Sequence, residues 1–354
     1  MSFDARVAAH GAVSTALAGL GDEELAALVA AARPLGAGIG GTSALLHVDG
    51  VPVFVKRVPL TELELRPEHV RSTANLFGLP AFCHYGVGLV GAPGFGAWRE
   101  LAVHELTTDW VLAGDHEGFP LLHHWRVLPH LGQSLPDELA DVDGAVAYWE
   151  DTPAARHRIE ALRDSTASIA LFLEHFPHDL HDWLRQQVRA GAEATANACA
   201  MVERELAAGI AAMNARGLLH LDAHFRNVLT DGERLYFADF GLALTADFDL
   251  ARDEADFFAG HQGFDRDYAA THLVLWLTAE LYGHRGAEHS AFLRACARGE
   301  RPAGVPRQVA DVLVRHAPTA ELMTGFYRRF QQESRHVPYP AATRVVPCRC
   351  PTCS

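Results

Sequence analysis

The chain carries two hydrophobic rhythms, and each predicts a different kind of element. Asp22 followed by E-E-L-A-A-L-V-A-A-A reads as a capped helix that stops at Pro34. Two β-rich runs, Ala44 to Val48 and Val51 to Val55, flank the tight turn Asp49-Gly50 and predict a hairpin. The run W-R-E-L-A-V-H-E-L-T-T-D-W-V-L then places Leu101, Leu106, Trp110 and Val111 on one helical stripe. Strands are expected at Phe119 to Val127 and Ser168 to Phe176, with a charged, partly helical excursion between them from Pro129 to Asp164. Two amphipathic helices follow, H-D-L-H-D-W-L-R-Q-Q and V-E-R-E-L-A-A-G-I-A-A-M-N-A-R, the second closed by Gly217. Val228 to Leu229 and Leu235 to Ala238 bracket the turn Thr230-Asp231-Gly232-Glu233 as a second hairpin, and F-D-R-D-Y-A-A-T-H-L-V-L-W-L-T-A-E-L predicts a buried helix. These elements mix hairpins with helices, so the fold class expected is α+β.

With 354 residues and a hydrophobic fraction of 49%, the chain can bury a substantial core as one large domain or two lobes. No basic-plus-apolar leader is read at the start. The most apolar run, near Ala269 to Ala279, is interrupted by His272 and too short for a bilayer, so a cytoplasmic protein without a membrane partner is expected. The net charge of −14 argues against tracking a nucleic-acid backbone and favours a basic acceptor slightly. Cys83, Cys199 and Cys296 are scattered and read as buried small apolar groups. Cys348, Cys350 and Cys353 crowd the end, but the spacing of C-R-C-P-T-C is too tight for a usual four-ligand zinc site, and an incidental tail is the preferred reading. His123 and His124 are read as structural, since no H-x-x-x-H pattern with supporting acids occurs.

The chemistry concentrates between His220 and Gly241, H-L-D-A-H-F-R-N-V-L-T-D-G-E-R-L-Y-F-A-D-F-G. Asp222, Asn227 and Asp239 are the acidic and amide groups that magnesium-dependent phosphoryl transfer needs: one carboxylate to accept or orient a hydroxyl proton, an Asn and a second carboxylate to hold cations. The predicted hairpin returns Asn227 and Asp239 to one end of two paired strands. Upstream, Gly36, Gly38, Gly40 and Gly41 precede the first β-rich run and suit a loop whose backbone N–H groups approach phosphate oxygens.

This arrangement resembles the protein-kinase-like superfamily, which includes eukaryotic-type protein kinases and aminoglycoside phosphotransferases. His224, two residues after Asp222, is similar to the H-x-D-x-H-x-x-N loop of the antibiotic kinases. The resemblance implies a bilobal fold, with a small antiparallel-β N-lobe and a mainly helical C-lobe. It implies ATP and Mg2+ as cofactors and a nucleotide as partner. Asp222 would orient the acceptor hydroxyl, Asn227 and Asp239 would hold magnesium, and Lys56 would reach the phosphates beneath Gly36, Gly38 and Gly41. A glutamate on the 98–112 helix would hold Lys56, with Glu105 the first choice and Glu100 the runner-up. The ending at Ser168 to Phe176 resembles a hinge, with Leu173 as gatekeeper, Glu174 offering its carbonyl and Phe176 its N–H to adenine.

On this resemblance the chain divides into a helical extension (1–34), a nucleotide-binding N-lobe (35–176) with insertions at 57–97 and 129–164, a catalytic C-lobe (177–345) and a Cys-rich tail (346–354). The first insertion either shapes a lid or acceptor surface or simply packs on its lobe. It contains Gly86-Val-Gly88-Leu-Val-Gly91, a dinucleotide fingerprint in form. The acid such a site requires would be Asp109, which lies within a helical run, so a flexible insert is preferred. No Ala-Pro-Glu closes a segment after Gly241, which favours a small-molecule acceptor, cationic or antibiotic-like, over a protein Ser/Thr kinase. A kinase-like peptide-binding scaffold without phosphotransfer is a third reading. The acids Asp247, Asp249, Asp253, Glu254 and Asp256 face either a cationic acceptor or, as the commoner case, solvent.

Overall fold

The computed structural model describes residues 2–38, 40–129 and 135–341; Cys348, Cys350 and Cys353 lie outside them. Ser2 caps α1 (Phe3–Ala18) by accepting the Ala5 N–H, and α2 (Asp22–Ala31) ends before Pro34. Then β1 (Arg33–Gly38), β2 (Gly41–Val48) and β3 (Val51–Leu60) run as a meander. Between β3 and the next strand lie α3 (Glu62–Leu65), a loop, and α4 (Ala97–Leu112). After β4 (Leu122–Pro129) the excursion contains α5 (Asp137–Ala140), α6 (Val142–Tyr148) and α7 (Pro153–Arg163), and β5 (Ala167–Glu174) completes an antiparallel sheet of order β1-β2-β3-β5-β4.

Strand alternation decides what each face of this sheet meets. Val53 and Val55 of β3, with Ala170 and Phe172 of β5, pack under Val13 and Leu17 of α1 and Leu25 and Val29 of α2. Val58 and Leu60, with Ile169, Leu171 and Leu173, face Trp98 and Leu101 of α4. Lys56 shares the parity of Val58 and Leu60, so the alternation that builds the second core also carries its amine toward α4.

The rest is mainly helical. It comprises α8 (Leu180–Ala190), α9 (Ala192–Ala215), α10 (Arg252–Gly260), α11 (Phe264–Tyr282), α12 (Gly286–Ala297) and α13 (Arg307–Gln332). Short strands β6 (His178–Asp179), β7 (Leu218–Leu219), β8 (Val228–Thr230), β9 (Leu235–Phe237) and β10 (Leu244–Thr245) form two small sheets, β6-β8-β9 and β10-β7. Leu206, Ile210 and Met213 of α9 pack with Leu273 and Leu277 of α11, Leu313 and Phe330 of α13, and Phe225 and Phe237 beside the hairpin. The chain is thus α+β with a small antiparallel sheet, and among the described residues no helix is long and apolar enough to cross a membrane.

Several sequence expectations shift. Gly36 and Gly38 lie within β1, paired to Ser43 and Gly41 of β2, so the glycine-rich stretch is a hairpin rather than a loop ahead of the first strand. Main-chain pairing with β2 accounts for this, and it needs no side chains. The strand expected from Phe119 starts at Leu122, because Phe119 is fully buried against Trp110 and Phe237 in the helical core. Cys83, Cys199 and Cys296 are free and buried.

Candidate active site

The β8-β9 hairpin pairs Val228 with Phe237, and the next rung, Ala238 N–H to Asn227 carbonyl at 2.9 Å, sets Asn227 and Asp239 side by side. Asn227 Nδ2 donates to both the backbone oxygen (3.0 Å) and Oδ2 (3.2 Å) of Asp222, while Tyr268 of α11 donates its hydroxyl to Oδ1 at 3.3 Å. The loop is anchored from below: Asp265, one helical turn before Tyr268, accepts the N–H groups of His220 and Leu221 at 2.8 Å each. Leu221 and Asp239 are both held at φ 63°, left-handed backbone that non-glycine residues adopt at a cost of about 1–2 kcal/mol. Strain of this kind persists where the surrounding structure enforces it, and it clusters at functional sites.

Lys56 meets this loop from the sheet. Its Nζ lies 2.6 Å from Glu100 Oε1 and 2.9 Å from Asp239 Oδ1. The β1-β2 hairpin tip hangs above, since a Cβ on Gly40 would sit 2.9 Å from Lys56 Nζ. Burial opposes the Lys56 charge, but Asp239 and Glu100 outweigh it and hold the amine above the ordinary lysine range. One cation shared by two carboxylates splits them. Burial raises Glu100 to about 7, whereas Asp239 drops to about 2 because Lys56 outweighs its desolvation. Desolvation and then the Asp239 charge push Asp222 well above the usual carboxylate range. Burial lowers His104 to about 3 and His220 to about 4, so both are neutral near pH 7.

The partner of Lys56 is therefore Glu100, not Glu105. Five residues at about 100° each separate the two by roughly 140° around the helix. Glu100 lies in the buried first turn of α4, above Lys56, while Glu105 points outward to a two-pronged pair with Arg71 at 2.6 and 3.2 Å. Counting back from the helix end selected the wrong face. The acids after Gly241 also divide: Glu254 is fully buried and bound by Arg99 at 2.7 and 3.2 Å, so it faces neither solvent nor an acceptor.

Two cavities meet at Asn227 and Asp239. The larger, about 830 Å3, is lined by Gly36, Gly38, Gly41, Lys56, Leu173, Glu174 and Phe176 together with the hairpin, and falls in the range typical of small-molecule sites. At its back, Arg6 of α1 binds the Glu174 carboxylate with two contacts of 2.8 Å, and Phe176 stacks on Tyr236 with ring centroids 3.8 Å apart. The smaller, about 240 Å3, holds Asp222 and is walled by the 85–96 segment. Sequence reading missed Arg6 and Tyr268, and it took Gly86 as part of a flexible insert rather than as a neighbour of Asp222. Of the two that were missed, Tyr268 left a local signal, its i+3 spacing from Asp265.

A separate group, Asp179, His181 and Asp182, brings ligand atoms within 4.8 Å of one another, but Arg226 pairs with both aspartates and Asp179 caps α8. Scans against protein-family models find no match to this chain, and a search of curated proteins finds none.

Proposed function

We propose that this chain is an ATP- and magnesium-dependent phosphotransferase with a bilobal, protein-kinase-like arrangement, moving the γ-phosphate to a hydroxyl of a small-molecule acceptor. The observation that carries the reading is the Lys56 amine, 2.6 Å from Glu100 and 2.9 Å from Asp239, under a glycine hairpin and beside the Asp222–Asn227 pair. The donor set suits a hard cation. Asn227 commits its amide nitrogen to Asp222, which leaves its carbonyl oxygen as an oxygen donor in cavities that Asp239 also lines; magnesium favours such sparse oxygen ligation completed by phosphates. When bound, magnesium supplies charge neutralisation to the transferring phosphoryl group.

The chain's own residues do the rest. Lys56, oriented by Glu100, contributes a fixed positive charge to the phosphates. Glycine-hairpin backbone closes over them. Asp222, fixed by Tyr268 and Asn227, aligns the acceptor hydroxyl and receives its proton as the O–P bond forms. The loose transition state makes positioning and charge placement the main sources of rate. In the larger cavity, the Glu174 carbonyl and Phe176 N–H are the groups proposed to meet adenine.

The test is transfer of label from γ-32P-ATP, with and without excess EDTA, to separate pools of small alcohols and Ser/Thr peptides. Label in small molecules, lost on chelation, is the expected result. Label confined to peptides favours a protein kinase, and nucleotide binding without turnover favours a scaffold.

A paired substitution tests the ion-pair assignment. Glu105→Gln is expected to leave MgATP affinity unchanged and stability within about 0.5 kcal/mol, since its pair with Arg71 is half exposed. Glu100→Gln is expected to weaken MgATP binding about tenfold at pH 8, the equivalent of one charge-assisted contact. Because Glu100 titrates near 7, wild type loses its carboxylate as pH falls through that value. The two proteins should therefore converge by pH 6 in calorimetric titrations; equal affinities at pH 8 would remove Glu100 from the role.

A further inference from the structure

The Gly86-x-Gly88 pattern belongs to the wall of the smaller cavity, pressed onto Asp222. A Cβ on Gly86 would lie 2.0 Å from Asp222 Oδ1, yet the Gly86 backbone has ordinary, negative-φ geometry. Close approach to the carboxylate, rather than an unusual turn, is what excludes a side chain there.

The wall is braced from behind along its length. Tyr148 Oη accepts the Leu89 N–H at 2.8 Å, Trp149 Nε1 donates to the Gly91 carbonyl at 3.1 Å, and Arg158 Nε donates to the carbonyls of Pro93 and Gly94 at 3.3 and 3.1 Å. Gln331 of α13 donates to the Val87 carbonyl at 2.6 Å. Glu64 closes the far end, accepting the Ala97 N–H at 2.7 Å and pairing with Arg158 at 2.9 Å. Two insertions, one on each side of β4, thus interlock, and the second holds the first in place.

The space beside this wall is about 240 Å3, below the 300–1,000 Å3 typical of sites for drug-sized ligands, and it meets the larger cavity at Asn227 and Asp239. Its charges are lopsided. Arg158 is committed to Glu64 and Lys56 to Glu100 and Asp239, while Asp222 and Glu138 bring carboxylates with no Lys or Arg ion pair among the described residues.

Resting on the phosphotransferase reading above, we propose that the braced 85–96 segment is a fixed size gauge that restricts the acceptor to a small alcohol without an anionic group, such as a short amino alcohol or polyol. Multi-ring acceptors and folded protein segments do not reach Asp222 past this wall. The transfer forms a bond between the acceptor oxygen and the γ-phosphorus, breaks the bond to the bridging β–γ oxygen of ATP, and passes the hydroxyl proton to Asp222.

The experiment measures MgATP binding by calorimetry and label transfer from γ-32P-ATP to glycerol, ethanolamine, 6-amino-1-hexanol, kanamycin and a Ser/Thr peptide. The full-length wild type and two variants are compared. Wild type is expected to label ethanolamine or glycerol above the larger probes. Gly86→Ala should cut that transfer about 100-fold, the cost of roughly 1 Å of misplacement, with MgATP affinity unchanged. Val90→Ala, which shortens a wall side chain, should raise the preference for 6-amino-1-hexanol over ethanolamine at least about tenfold. The proposal is overturned by preferential labelling of kanamycin or peptide, by no labelling of the short alcohols in a protein that binds MgATP, or by full transfer in a folded Gly86→Ala protein, which would mean the wall swings aside. Failure of wild type to bind MgATP would instead defeat the phosphotransferase reading beneath it.

Discussion

On the phosphotransferase reading, replacing Asp222 with asparagine is expected to slow phosphotransfer about 10³-fold while MgATP affinity stays within about threefold, the scale set by loss of a positioned general base. The substitution preserves shape and one acceptor. The asparagine carbonyl can still receive the Tyr268 hydroxyl, but its amide then opposes Asn227 Nδ2, donor against donor, where Oδ2 now accepts at 3.2 Å. Nothing remains to take the acceptor proton. Lys56 is untouched, since its ion pairs are with Glu100 and Asp239, so the Lys56 side of the site keeps its charge. Single-turnover rates and calorimetric titration separate the two effects. Loss of MgATP binding with normal transfer by the residual complex would assign Asp222 to the nucleotide instead.

The largest stability effect is expected far from that loop, at Glu254. Its carboxylate is fully buried, takes Arg99 on both oxygens, and lies 3.5 Å from His84 Nε2; Arg99 also donates to the Thr73 carbonyl at 2.7 Å. This one group ties α4 to α10 and to the first insertion. Glu254→Gln leaves the buried Arg99 charge uncompensated and is expected to cost about 3–5 kcal/mol at pH 7 by urea unfolding. The acid dependence has a defined sign. Burial alone would raise Glu254, but His84 and Arg99 outweigh it and depress the folded value to about 2. A depressed carboxylate stabilises the fold above its unfolded value near 4.5, and that contribution fades as pH falls toward 2. The gap between wild type and variant should accordingly be smaller at pH 3 than at pH 7. A pH-independent gap would show that packing, not charge, is lost.

Both predictions concern acids that look alike along the chain, and the contrast shows where sequence reading stops. Asp222, Asn227 and Asp239 could be assembled from spacing because a short hairpin and a tight loop connect them, and local backbone rules set their relative positions. Lys56 followed from its place at the end of the second β-rich run, after the Asp49-Gly50 turn, and from its resemblance there to the strand lysine of kinases. Glu100 and Glu105 both sit on the correct helix, but which face turns inward depends on the sheet beneath. Glu254 read as solvent-facing because its partner, Arg99, is 155 residues away.

The chain by itself determined the α+β class, the two hairpins, and the loop that groups two aspartates and an asparagine, because all of these depend on short-range periodicity and turn chemistry. Tertiary structure alone decided that Glu100 meets Lys56, that Arg6 reaches the Glu174 carboxylate, and that Gly86 presses on Asp222. Those contacts join segments whose approach is set by packing of whole layers, and no local rhythm encodes which distant group will fill the space opposite a buried charge.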